Sequence, residues 1–190
     1  MKKTGIILSI YLIIAFSNLM AEDVFESLKV SGNLQWDAQV YKKDSIIGAK
    51  DVPEEMLSNG FLNLNLELGG FTAGIRYESY QNPILGIDTR YKGSGIPYRY
   101  ITFKSDIIEA TAGNFYEQFG SGIIFRAYEE RQLGIDNSIE GLKVKVSPMD
   151  GLSFTGLIGK QRNFWSLGTG IVRGADLNLS VNNLFSDLMP

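Results

Sequence analysis

The 190-residue chain contains neither cysteine nor histidine. Without cysteine there is no disulfide, no thiol nucleophile, no iron–sulfur ligation and no lipid-bearing Cys behind an export signal. Without histidine the commonest general base is missing, and with it any Ser-His-Asp triad or His-ligated zinc. Nor is there a strong excess of one charge: 18 basic residues stand against 21 acidic ones. That balance does not fit a nucleic-acid binder. Low-complexity runs are absent, as is any sequence repeat beyond a recurring hairpin pattern. With 44% hydrophobic and 21% charged residues, the chain has an ordinary globular composition rather than a disordered one.

The apolar run Ile6 to Phe16 follows Lys2 and Lys3 and ends near the small residue Ala21. This is the layout of a secretory signal peptide over residues 1–21. A membrane-anchoring helix is the other reading, but the run is shorter than the ~20 residues a span needs. Cleavage takes Lys2 and Lys3 from the 18 basic residues and leaves 16 against 21 acidic, a formal charge of −5. The mature domain is then expected over residues 22–190.

What the mature chain has in quantity is alternation. In "FLNLNLELGGFTAGIRY", residues 61–77, leucines 62, 64, 66 and 68 share one face of a strand and Asn63, Asn65 and Glu67 the other. Folding at Gly69-Gly70 sets Leu68 opposite Phe71, Leu64 opposite Ile75 and Asn63 opposite Arg76, like with like throughout. "LKVSGNLQWDAQVY", residues 28–41, alternates in the same way, a period no helix would keep. Farther on, pairing Ser105 with Ile108 sets Lys104 against Glu109 and Thr102 against Thr111. The segment 139–160 turns at Pro148 to Gly151, and "GADLNLSV" alternates once more.

About eight strands result. Tight turns at Gly69-Gly70, at Asp106, at Pro148 to Gly151 and at Asn182-Asn183 alternate with long connections at 42–60, 81–97, 117–137 and 161–170. In an up-and-down antiparallel sheet this gathers the short turns at one end and the long loops at the other. Outer-membrane barrels have that asymmetry, with an apolar exterior over a polar interior, and only a closed barrel satisfies every backbone group in lipid. The expected fold is therefore all-β, an up-and-down antiparallel transmembrane β-barrel of about eight strands, or part of a larger one. A soluble exported β-sandwich that binds a ligand such as a glycan through aromatic-rich long loops is the alternative. Aromatic residues near the loop-side strand ends, among them Trp36, Phe61, Tyr77, Tyr80 and Tyr98, are expected to form one interfacial belt, with Phe71 and Phe103 in another.

The stretch "GNFYEQFGSGIIFRAYEERQLGIDNSIEG", residues 113–141, together with "SGNLQWDAQVY" and "GADLNLSVNN", resembles an uncharacterised family of Bacteroidota outer-membrane β-barrel proteins. The resemblance spans the mature chain. It implies an outer-membrane location, more strands than this chain carries, and no activity or site residues to transfer. The ending "NNLFSDLMP" lacks a clear final strand closing on a terminal aromatic. An N-terminal portion of a larger barrel is therefore expected, the other reading being an eight-strand barrel that closes its first strand on its last.

Chemistry-bearing motifs are few, and no enzyme activity and no cofactor are expected. Gly120-Ser121-Gly122 lacks the third glycine of a dinucleotide fingerprint. Asp136, Asn137 and Glu140 do not match an EF-hand spacing. Glu54-Glu55 and Glu129-Glu130 read as solvated loop charges. The lumen-facing charges are the candidates for function: Arg76, Glu78, Lys104, Glu109, Lys143, Lys145 and Asp176. Both signs are present, as in a plug of salt bridges or in the wall of a water-filled pore. The expected partners are outer-membrane lipid and other outer-membrane or periplasmic proteins, and the role structural, adhesive or passage-related.

Overall fold

The computed structural model describes residues 27–49 and 54–184. The expected signal peptide lies outside them. Alternating sequence becomes antiparallel sheet: β1 (Lys29–Val40), β2 (Met56–Leu68), β3 (Phe71–Asn82), β4 (Gly93–Lys104) and β5 (Ile108–Phe115) follow one another. Four two-residue strands come next: β6 (Glu117–Gln118), β7 (Arg126–Ala127), β8 (Glu129–Glu130) and β9 (Ile135–Asp136). Then come β10 (Ile139–Met149), β11 (Leu152–Asn163), β12 (Ser166–Leu167) and β13 (Val172–Leu179). The long strands pair in the order β1-β2-β3-β4-β5-β10-β11, and β11 carries both β12 and β13.

Register follows the sequence pattern. Leu68 faces Phe71, Leu64 faces Ile75 and Asn63 faces Arg76. Gly69 has φ +55° while Gly70 stays outside the positive region, so this two-residue turn has the sign pattern of type II′. Phe103 faces Ala110, Thr102 faces Thr111 and Lys104 faces Glu109. Short turns and long connections alternate along the sheet.

The strands run farther toward the loop end than their alternation implies. β2 begins at Met56, β3 continues to Asn82 and β4 begins at Gly93. In these extensions apolar residues occupy the polar face, which hides the period. Phe61, Tyr80, Ile87 and Tyr91 pack there as a buried cluster. Phe61, Tyr80 and Phe115 are thus buried rather than part of an interfacial belt, because their positions have the parity of the polar side chains. Trp36, Tyr77, Phe71 and Phe103 are exposed, and the last two rings pack 4.9 Å apart. Asn182-Asn183 lies in a helical turn, Val181–Leu184, instead of a hairpin turn.

One face of the sheet is apolar and open. Leu34 is 75% exposed and Leu177 66%, and Leu62, Leu64, Leu66, Ile75, Ile101, Leu142, Phe154 and Ile158 are exposed with them. The opposite face carries the buried polar groups Arg76, Glu78, Thr111, Thr155 and Arg162. The sheet curls around that face: Tyr80 of β3 meets Trp165, just beyond β11, at 6.2 Å between rings. A row of glycines assists the bend. Gly141 of β10 stands opposite Gly113 on one side and Gly159 on the other, and a side chain at any of the three would press on a neighbour's backbone. The curl does not close. Among the described residues β1 pairs only with β2, and β13 only with β11, so their architecture is an open all-β antiparallel sheet with almost no helix, and barrel closure is not seen among them.

Candidate functional site

The connection between β5 and β10 folds back over the polar face. Its four short strands pair as two small ladders, β6 with β7 and β8 with β9. These bring Glu129, Arg131 and Asp136 against side chains of the sheet. Arg76 Nη1 donates to Glu129 at 2.6 Å, to Glu78 at 3.3 Å and to Asp136 at 3.4 Å. Arg162 donates to Glu78 at 2.7 Å and to Asp136 at 2.6 Å. Arg131 donates to Glu129 at 2.9 Å and to Gln35 on β1 at 3.0 Å. Three guanidinium groups therefore meet three carboxylates, and the cluster carries no net charge.

Aromatic rings enclose this cluster. Arg76 lies over the Tyr98 ring at 4.6 Å and Arg131 over Phe61 at the same distance. Tyr98 stacks on Tyr116 with centroids 5.3 Å apart. Burial pushes the Tyr116 phenol upward, so it stays neutral and accepts from Arg76 Nη2 at 3.4 Å. Charge withdrawn from water must be paired and hydrogen-bonded. Because Glu78, Glu129 and Asp136 each face a guanidinium, the site serves as an ion-pair clamp rather than as a cation ligand set.

The seven candidate charges separate into three groups. Arg76 and Glu78 sit at the centre of the clamp. Lys143 and Glu109 form a second pair at 3.7 Å, with Glu117 3.2 Å from the same ammonium. Lys104 and Lys145 are exposed and Asp176 is half-buried, and all three are nearer the short turns. Lys104 is level with Glu109 in register, but the Glu109 carboxylate turns to Lys143. Arg162, Glu129, Arg131 and Asp136 complete the clamp although the sequence pattern placed them in loops. For Glu129, Arg131 and Asp136 the signal is the mixed charge of "EER" and "GID" in a long connection otherwise rich in aromatics.

The fold and site define an antiparallel sheet protein with an open apolar face and a polar face covered by its own loop. The chain belongs to the Family of unknown function (DUF6029), whose model matches residues 1–188. No curated protein matches it.

Proposed function

We propose that this chain is an integral bacterial outer-membrane β-barrel protein, or the N-terminal part of one, with a structural or adhesive role, no catalytic activity, and an interior plugged by the loop 116–138. The supporting observation is the inversion of the usual burial: Glu78 and Arg162 are almost wholly buried while Leu34, Leu64 and Leu177 on the other face are exposed. In water such an apolar face is a liability; in a bilayer it is the required exterior. Among the described residues no second sheet covers that face, as a soluble sandwich would need. In hydrocarbon the free edges of β1 and β13 must also be paired, with each other or with further strands, because unpaired backbone groups cost several kcal/mol each, on the order of 2–7. Outer-membrane lipid is then the principal partner.

Fractionation tests the reading. The full-length protein is expected to stay with outer membranes through high-salt and carbonate washes and to need detergent for release. Release into buffer would reject it. In planar bilayers the plugged form gives a silent trace, and steady conductance would instead favour a passage role.

A further inference from the structure

Below the clamp, the polar face carries an open, solvent-facing cavity of about 550 Å³ lined by β1, β2, β3 and β4 and by Arg131 of the covering loop. We propose that this cavity binds a neutral oligosaccharide, through the amides of Asn33 and Asn65, the ring of Tyr100 and the free arm of Arg131. The polar face exists whether or not the opposite face meets lipid, so the inference does not rest on the membrane reading.

The polarity of the amides follows from one donor. Arg76 Nε can only donate, and it lies 3.2 Å from Asn63 Oδ1. The Asn63 amide nitrogen therefore points the other way and donates to Asn33 Oδ1 at 2.8 Å. This leaves the Asn33 NH2 group directed away from the pair. On the next polar position of β2, Asn65 Oδ1 accepts from the Tyr100 hydroxyl at 3.2 Å, and its NH2 is likewise left over. Arg131 uses Nε on Glu129 and Nη1 on Gln35. Neither amide nitrogen nor Arg131 Nη2 has a further hydrogen-bond partner among the described residues.

These donors belong to a neutral wall. The Arg131 and Arg76 charges are answered by Glu129, Glu78 and Asp136, so nothing in the cavity favours an anion over a hydroxyl oxygen. Asn33 and Asn65 are diagonal neighbours across β1 and β2, a spacing of roughly 7–8 Å. A ligand with several hydroxyls spans it. Tyr100 adds the aromatic surface: its ring lies across Gly74, where a side chain would collide with it. The ring is half-exposed, with Tyr98 standing against it at 5.9 Å and 71°, and its remaining surface meets the apolar C–H side of a sugar. Planar amides beside a half-exposed aromatic ring suit a sugar ring that is polar at its rim and apolar on its flat side.

The test uses the full-length protein in an amine-oxide detergent, which carries no sugar headgroup, with calorimetric titration of maltose, cellobiose and lactose and of glucose 6-phosphate as a charged control. At least one neutral disaccharide is expected to bind with Kd below ~10 mM. Asn33→Leu and Asn65→Leu are each expected to weaken it about ten-fold without lowering the unfolding temperature, and Asp88→Asn, outside the cavity, to leave it unchanged. The proposal is overturned if none of the three sugars binds, if only the phosphate binds, or if both leucine variants retain full affinity. A protein that fractionates as soluble yet binds sugar would reject the membrane reading and leave the cavity assignment standing.

Discussion

Glu78 of β3 and Arg162 of β11 meet at 2.7 Å, although β4, β5 and β10 lie between their strands in the sheet. Four strand spacings of ~4.8 Å put the backbones roughly 19 Å apart in a flat sheet, too far for two side chains to bridge. The ion pair therefore exists only because the sheet curls, and it ties the two sides of the curl together. Both side chains are at most 2% exposed.

Removing one partner leaves a buried charge uncompensated. Glu78→Gln or Arg162→Met should each destabilise the fold by about 3–5 kcal/mol. The double replacement leaves Arg76 and Arg131 against Glu129 and Asp136, a balanced set once more. It should therefore cost less than the two single changes together. Denaturant unfolding of the four proteins measures the coupling; strictly additive costs would show that the pair does not act as a unit.

The curl also depends on the glycine row, and Gly141 is its centre. A Cβ there would collide with the Ile158 carbonyl oxygen and lie 2.5 Å from the Gly159 Cα. Both are backbone, so no side chain can rotate away. Gly141→Ala should force the strands apart and cost at least about 1–3 kcal/mol. Gly156→Ala on the neighbouring strand meets only an ordinary contact with Phe154 at 3.7 Å and should be far milder. Thermal unfolding of the two variants checks the contrast; equal shifts would remove the glycine row from the account of the bend.

The strands and their register were legible because each long strand keeps period two from its short-turn end through its middle, and like faces like only in the observed pairing. The clamp was only half legible. Arg76 and Glu78 show as charges on the polar face of an alternating strand, and Lys143 and Glu109 likewise. Arg162 lies where β11 leaves regular alternation, and Glu129 and Asp136 lie in two-residue strands too short to carry a period. Their placement depends on a loop folding back over the sheet, a non-local event that no local pattern encodes. The same holds for Phe61 and Tyr80, whose inward parity appears only once β2 and β3 are seen to continue past the point where leucine alternation stops.

Asp88 provides a pH marker outside the strands. It caps the 3-10 turn Thr89–Tyr91, accepting from the Arg90 backbone N–H at 2.9 Å, and the Arg90 guanidinium grips the same carboxylate at 2.6 Å. The Arg90 hydrogen bonds hold the Asp88 carboxyl at about 2, below the ~3.9 of an unfolded chain. A depressed folded value means that the contribution is complete above about pH 4 and is lost as pH falls through about 2. A carboxyl-carbon NMR titration should find the Asp88 midpoint near the lower value. Arg90→Ala should return it toward the ordinary range, and an unchanged midpoint in that variant would remove Arg90 as the cause.

The outward direction of the apolar side chains has a direct spectroscopic consequence, and the absence of cysteine makes it clean to measure. Single Leu64→Cys and Leu177→Cys variants need no background replacement, since the chain contributes no thiol of its own. Both positions are exposed on the apolar face, whereas Thr155, on the opposite face of β11, is buried. Spin labels at positions 64 and 177 in reconstituted vesicles should be strongly relaxed by oxygen, which concentrates in hydrocarbon, and weakly by a water-soluble nickel chelate. A label at position 155 should be shielded from both, because the covering side chains exclude lipid and bulk solvent alike. Leu64→Arg should then reduce the stability of the assembled protein by about 2–4 kcal/mol if that site lies near the bilayer midplane. The same arginine on a face bathed in water would cost little, since exposed substitutions stay within about 0.5 kcal/mol. Labels at 64 and 177 that respond to the chelate and not to oxygen would place the leucine face in water.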